Sequence, residues 1–161
     1  PGVGSFFHGM NNLIKYNLVN ILNNQVIQNK KPILGICLGM QLFCKSSEEN
    51  NSNIKGLGWI NATVKKFPKE CKILPHMGWN IMETKNDSKF YKKKTNLDFY
   101  FVHSYYMSND KSDKNILIEY SNYYIDFPAM IIKENIYGAQ FHPEKSQKNG
   151  LKLLENFFNN C

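Results

Sequence analysis

Pro32-Ile33-Leu34-Gly35-Ile36-Cys37-Leu38-Gly39-Met40-Gln41 is the stretch on which the reading of this chain turns. Pro32 to Ile36 is a short apolar run, as expected of a buried strand. It stops abruptly at Cys37, and Leu38 to Lys45 reads as a helix. Between the two lies Gly35-x-Cys37-x-Gly39, the thiol form of the Gly-x-Ser-x-Gly nucleophile elbow. A Cβ at either flanking position is expected to collide with such a tight turn, and glycine removes it. The elbow lifts the sulfur to the carboxyl end of the sheet, where open α/β sheets bind ligands. It also sets the sulfur at a helix N-terminus. The partial positive charge there, with an imidazolium nearby, is expected to draw the thiol below its ordinary pKa of about 8.5. A cysteine among apolar neighbours can be merely a small hydrophobe; the strand–turn–helix setting favours a nucleophile.

A second element stands about a hundred residues downstream, at Gln140-Phe141-His142-Pro143-Glu144. Pro143 pushes His142 toward extended backbone. In an extended segment residues i and i+2 share a face, so Glu144 can reach one ring nitrogen of His142 and leave the other free. That is the base-plus-orienter half of a catalytic triad. Alone, a His-x-Glu pair is weak, because many such pairs are inconsequential surface ion pairs; beside a cysteine elbow it becomes informative. A third element is Pro1-Gly2-Val3-Gly4, a glycine-rich loop able to present backbone N–H groups to an oxyanion, although most such loops are only turns.

The rest of the chain fits around these elements. Apolar residues at Leu13, Ile14, Leu18, Val19, Ile21, Leu22 and Val26 predict a helix within Asn11–Gln28. Ser46 to Lys55 is polar and Asn-rich, hence a loop. Strands are expected over Leu57–Phe67, Asp98–His103, Asn115–Tyr120, Ala129–Lys133 and Ile136–Phe141, with Glu134-Asn135 as a hairpin turn. Gln147 to Asn159 closes the chain as a helix, with Ser146 as its N-cap. The order predicts an α/β fold: a mostly parallel central sheet flanked by helices, with an antiparallel addition. No internal repeat or linker divides the 161 residues, so they read as one domain.

Composition narrows the function classes. The chain is 42% hydrophobic and 14% aromatic, which excludes a disordered or collagen-like chain. No stretch approaches the roughly 20 apolar residues of a membrane span. The formal net charge is +7, but all 20 basic residues are lysine. Base readout and phosphate clamping favour the planar fork of arginine, so nucleic acid is not the expected partner. The dense run Lys92-Lys93-Lys94 reads as a solvated loop. Cys37, Cys44, Cys71 and Cys161 form no Cys-x-x-Cys pair and no zinc-spaced cluster, so no metal site is expected. Without a signal peptide the chain reads as cytoplasmic. It opens on loop chemistry rather than on a methionine, as a chain beginning inside a longer protein would.

Taken together, Gly35-Ile-Cys37-Leu-Gly39-Met40-Gln41 and His142-Pro143-Glu144 resemble the class I (triad) glutamine amidotransferases, over essentially the whole chain. Pro1–Gly4, Pro75-His-Met-Gly-Trp-Asn80, Tyr100-Phe-Val-His-Ser-Tyr-Tyr106 and Gln140–Gln147 are similar, more narrowly, to the glutaminase subunits of imidazole glycerol phosphate synthase in histidine biosynthesis. The resemblance implies a flavodoxin-like fold, and a strand and helix upstream of the Pro1–Gly4 loop that this chain lacks. It implies Cys37 as nucleophile, His142 as acid and base, and Glu144 as its orienter. Backbone N–H groups of Val3 and Leu38 would hold the oxyanion. Gly2 and Gly4, which let the loop reorient, belong with Gln41, Ser104 and Tyr105 to the glutamine-binding set, with Glu49 as a weaker addition. The implied partner is a (β/α)8-barrel cyclase that consumes the ammonia to make imidazole glycerol phosphate and an aminoimidazole carboxamide ribotide, with Trp79 and Lys145 at the interface. No organic cofactor is implied. Rival readings are the glutaminase of another pathway, such as anthranilate, aminodeoxychorismate or pyridoxal phosphate synthesis, another kind of cysteine hydrolase, or a non-catalytic binding module on the same fold.

Overall fold

A computed structural model describes residues 1–49, 54–93, 95–108 and 115–161. Two short helices, α1 (Phe6–Lys15) and α2 (Leu18–Leu22), lead through a π-helical turn, Asn23–Gln28, into β1 (Ile33–Ile36) and the elbow helix α3 (Leu38–Leu42). β2 (Cys44–Ser47), β3 (Ile54–Lys55) and β4 (Ile60–Lys66) follow, then β5 (His76–Glu83), β6 (Asn96–His103) and β7 (Tyr105–Met107). β8 (Leu117–Tyr123), β9 (Ile125–Lys133) and β10 (Ile136–Ala139) precede a 3-10 turn, Pro143–Lys145, and the last helix, α4 (Gln147–Asn160).

The strands form a six-stranded sheet, β1-β10-β9-β8-β5-β6, and a four-stranded one, β3-β2-β4-β7. The α/β class holds, but the proportions differ from the expected mostly parallel sheet. Among the described strands only β1–β10 and β2–β4 pair parallel; the other ladders are antiparallel. The antiparallel part is the larger because β5 and β6, then β8, β9 and β10, follow one another as hairpin-like neighbours. The turn between β9 and β10 is the expected Glu134-Asn135, with Glu134 at φ 52°.

Several elements depart from the sequence reading. The first helix begins at Phe6, capped by Ser5, whose Oγ accepts from the N–H of His8 at 3.2 Å. The long helix breaks at Asn17, which adopts φ 55°, a left-handed conformation Asn tolerates. Leu13, Val19, Leu22 and Val26 face the core, whereas Ile14, Leu18 and Ile21 stay exposed. Part of the Asn-rich segment is β2; residues 50–53, like Lys94 of the lysine run, lie outside the described residues.

Two apolar clusters hold the fold. One gathers Phe6, Met10, Met40, Phe43, Trp59, Ile60 and Val64 between the first helices and the smaller sheet. The other gathers Phe67, Phe99, Phe101, Phe127, Tyr137, Phe141 and Leu153 between the larger sheet and α4. β1 and β6 stand at opposite ends of the strand order, yet the carbonyl of Tyr100 accepts from the N–H of His142 at 2.8 Å. The sheet therefore curls, bringing β6 back beside the segment that follows β10.

Candidate active site

β1 and β10 run parallel, with Ile36 opposite Ala139. Their carboxyl ends coincide, so Cys37 and the Gln140–Glu144 segment leave the sheet at the same edge. The N–H of Cys37 donates to the carbonyl of Ala139 at 2.7 Å. Cys37 itself takes φ 52° and ψ −106°, a strained conformation for a residue with a Cβ, and one that turns its side chain out of the sheet. Gly35 is required there: a Cβ would come within 2.5 Å of the Phe43 ring and 2.7 Å of the Gly39 backbone. Gly39 is not required on the same ground, because a Cβ would meet nothing within 4 Å. The expectation of a clash at both glycines is corrected to one.

The thiol state also differs from expectation. Burial pushes the Cys37 thiol up to about 11, and the charge of Glu144 adds to that. The Leu38 N–H, Gln140 and Lys145 pull the other way and do not prevail. A five-residue helix start does not outweigh the loss of solvation of a nearly buried thiolate.

His142 is buried and extended, at φ −101° and ψ 97°. The chain then turns at Pro143, so Glu144 arrives by a 3-10 turn rather than by strand alternation. Its Oε1 lies 2.7 Å from Nδ1 of His142. The opposite nitrogen, Nε2, is buried and has no hydrogen-bond partner among the described residues. Ser146 does not cap α4 with its side chain: its Oγ donates to the carbonyl of His142 at 2.6 Å and accepts from the N–H of Tyr100 at 2.9 Å. Gly150 lets α4 press on this segment, since a Cβ there would sit 1.9 Å from the carbonyl oxygen of Pro143.

A cavity of about 200 Å³ opens beside the thiol, lined among others by Val3, Gly4, Cys37, Leu38, Gln41 and Glu49 on one side and His103, Ser104 and Tyr105 on the other. The structure thus gathers Val3, Gly4, Leu38, Gln41, Ser104 and Tyr105, as well as Glu49, around Cys37. The two N–H groups expected to hold an oxyanion are not both free, however. The first loop lies along the elbow, Gly2 bridging Cys37 in parallel fashion, and the N–H of Leu38 donates to the carbonyl of Gly2 at 3.3 Å. Trp79 and Lys145 lie outside the cavity and both rest on Tyr100: the Trp79 ring meets it edge-on at 6.2 Å, and Lys145 Nζ lies 5.8 Å above it.

Two features were not read from sequence. Gln140 is fully buried against the thiol; the signal available was a polar side chain interrupting the apolar run Tyr137–Phe141. His76 and His103 are hydrogen bonded to each other at 3.0 Å, and burial pushes them down to about 4 and about 3. Among the described residues no cluster of His, Cys, Asp and Glu could hold a metal ion, and no helix is long and apolar enough to cross a membrane.

The model of the family Glutamine amidotransferase class-I matches residues 1–161. The chain belongs to that family. Within the class I glutamine amidotransferases, the chain is 52% identical over 162 residues to imidazole glycerol phosphate synthase subunit HisH 2 of Methanococcus maripaludis, covering 98% of this chain and 77% of that protein. It is 44% identical to the subunit HisH of Leptospira borgpetersenii, over 98% of this chain and 78% of the relative. In fold it is similar to a glutamine amidotransferase crystal structure, with a TM-score of 0.63 at 14% identity over 91% of this chain and 71% of the other. A glutamine amidotransferase of Thermotoga maritima gives 0.62 at 17% identity over 98% and 60%. The chain is an enzyme subunit of the glutamine amidotransferase kind.

Proposed function

We propose that this chain is the glutaminase subunit of an imidazole glycerol phosphate synthase, hydrolysing glutamine to glutamate and ammonia with Cys37, His142 and Glu144. The observation that carries the reading is His142, oriented by Glu144 through one nitrogen and bare at the other, on the same sheet edge as a strained cysteine at the wall of a cavity.

The sulfur of Cys37 attacks the side-chain amide carbon of glutamine as its proton passes to Nε2 of His142. His142 then returns a proton to the leaving ammonia. Water, deprotonated by the same nitrogen, next cleaves the thioester, releasing glutamate and the thiol. Glu144 fixes the tautomer and balances the imidazolium. The tetrahedral oxyanion needs donors close to where its charge develops. The carbonyl of Gly2 and the N–H of Val3 belong to one planar peptide and point to opposite sides. Turning that single unit over withdraws the acceptor now on Leu38 and brings the N–H of Val3 to the same spot. Gly2 and Gly4, the latter at φ 113°, supply the freedom. Ser104, Tyr105, Gln41 and Glu49 hold the amino and carboxylate ends of glutamine.

The partner is a (β/α)8-barrel cyclase that takes up the ammonia before bulk water protonates it. It docks on the face carrying Trp79, Tyr100 and Lys145, where Met77 and Ile81 are also exposed. The whole assembly works in the cytoplasm.

The test is Cys37→Ala in complex with the partner subunit. Glutamine-dependent synthesis is expected to vanish while ammonia-dependent synthesis persists, because free ammonia bypasses the thiol. Retained glutamine turnover in this variant removes Cys37 from the reaction.

A further inference from the structure

We propose that Gln140 is a positioning residue of the glutaminase reaction, a fixed hydrogen-bond donor to the sulfur of Cys37 whose direction is set by the backbone carbonyl of Tyr105. The inference rests on the glutaminase reading above. Nε2 of Gln140 lies 3.6 Å from Sγ of Cys37. Its Oε1 accepts from Nε2 of Gln41 at 2.9 Å, and the same Nε2 donates to the carbonyl of Tyr105 at 2.9 Å.

The two ends of an amide side chain have nearly the same shape, so direction must come from the partners. A carbonyl can only accept. Gln41 must therefore present its NH2 to Tyr105, and the second hydrogen of that group faces Gln140. The atom of Gln140 that meets it must be the oxygen. Its own NH2 is then left on the side of the sulfur, with no freedom to reverse.

The carbonyl that sets this order is itself pinned. It accepts from Nδ1 of His103 at 2.8 Å. With that proton on Nδ1, Nε2 of His103 accepts from Nδ1 of His76, and Nε2 of His76 accepts from Nδ2 of Asn80 at 3.1 Å. Asn80 is oriented by the backbone as well: its Nδ2 donates to the carbonyl of Asn122 at 2.8 Å and its Oδ1 accepts from the N–H of Ile81 at 2.8 Å. The order of donors and acceptors is thus fixed from both ends and agrees in the middle.

A donor on sulfur favours thiolate over thiol and keeps Sγ aimed through the attack. Among the described residues the charged and titratable groups around the thiol are Glu144 and Lys145, which act on it electrostatically, and Glu49, Tyr105 and His103, which share its cavity, His103 also feeling His142. Gln140 does not line the glutamine cavity. Gln41, which loses one acceptor with it, keeps its bond to the carbonyl of Tyr105, so the loss of Gln140 should act on the chemical step more than on glutamine binding.

The experiment compares the parent with Gln140→Met, which keeps the length without the donor, and Gln140→Glu, which keeps the acceptor for Gln41 but sets a charge at the sulfur. Each is purified with the partner subunit. Iodoacetamide alkylation is followed at the Cys37 peptide, because Cys161, the exposed cysteine, reacts as well. Gln140→Met is expected to move the thiol titration up by roughly one unit, and to lower kcat for glutamine about tenfold with KM within about twofold. Gln140→Glu should move the titration further in the same direction. A parental alkylation profile and kcat in Gln140→Met overturn the proposal. So does a loss of melting temperature and a raised KM with an unchanged profile. A parent inert toward glutamine sinks the functional reading by itself; the alkylation profiles then decide the Gln140 contact alone.

Discussion

Cys37 is held at φ 52° by hydrogen bonds on both sides of its Cα, from its N–H to Ala139 and from the Gln41 N–H to its carbonyl. Strain of this kind costs about 1–3 kcal/mol and persists where the surroundings over-determine the backbone. His142 is held as firmly: the Tyr100 carbonyl takes its N–H, and Ser146 its carbonyl. Glu144, by contrast, is half exposed, and its contribution is to one nitrogen of one ring. Glu144→Gln is therefore expected to lower glutamine turnover without abolishing it. In a serine-protease triad, losing the orienter costs about 10⁴ and losing nucleophile or base about 10⁶. Steady-state kinetics of Glu144→Gln beside Cys37→Ala check the order; parental turnover in Glu144→Gln would dissolve the pairing.

At the scale of elements, the elbow and the closing helix show why particular glycines are needed. Gly35 lies next to last in β1, before the elbow, where the ring of Phe43 and the backbone of Gly39 close over it. Gly39, inside α3, faces open space. Gly35→Ala is expected to destabilise the chain by about 2–3 kcal/mol through overpacking. Gly39→Ala should be neutral or gain up to about 1 kcal/mol from helix propensity. Denaturant midpoints of the two variants separate these outcomes, and equal losses would contradict the geometry of the turn. The same close approach recurs at Gly150, where α4 touches the carbonyl of Pro143. The helix that closes the fold therefore also backs the segment carrying His142 and Glu144.

Across the whole molecule, the His76–His103 pair couples stability to pH. Burial lowers both from 6.5, to about 4 and about 3, so between those values and 6.5 the unfolded chain binds more protons than the folded one. The neutral pair's full contribution is present above pH 6.5 and is lost as pH falls toward 4. Denaturant midpoints are expected to fall on acidification through this window; a midpoint that rises instead would show the pair is charged in the fold. The basic surface belongs to the same scale. Lys145 is exposed beside Tyr100 and Trp79, whereas Lys92 is simply solvated. If docking desolvates Lys145 against an acidic residue of the partner, Lys145→Ala should weaken binding by about 2–5 kcal/mol, while Lys92→Ala should cost little. Equal, negligible effects in a titration with the partner subunit would remove Lys145 from the interface.

The features legible in the sequence are those made by neighbours in the chain. The elbow at Gly35–Gly39, the contact of His142 with Glu144 and the turn at Glu134-Asn135 each span a few residues, so backbone sterics and short-range reach determine them. β5 escaped that reading because Gly78 and Asn80 are poor strand formers, and its pairing with β6 and β8 outweighs their preference. The helix expected over Asn11–Gln28 broke at Asn17 because a left-handed turn lets the chain bend across the core. Gln140 and Cys37 are 103 residues apart, and His76 and His103 are 27 apart. What joins the first pair is the parallel register of β1 with β10, and what joins the second is the antiparallel register that sets His76 opposite His103. Buried polar groups must find partners wherever the fold puts them. Residue types and their spacing thus pointed to the side chains proposed for the chemistry, and tertiary structure alone decided which of their hydrogens and lone pairs were already taken.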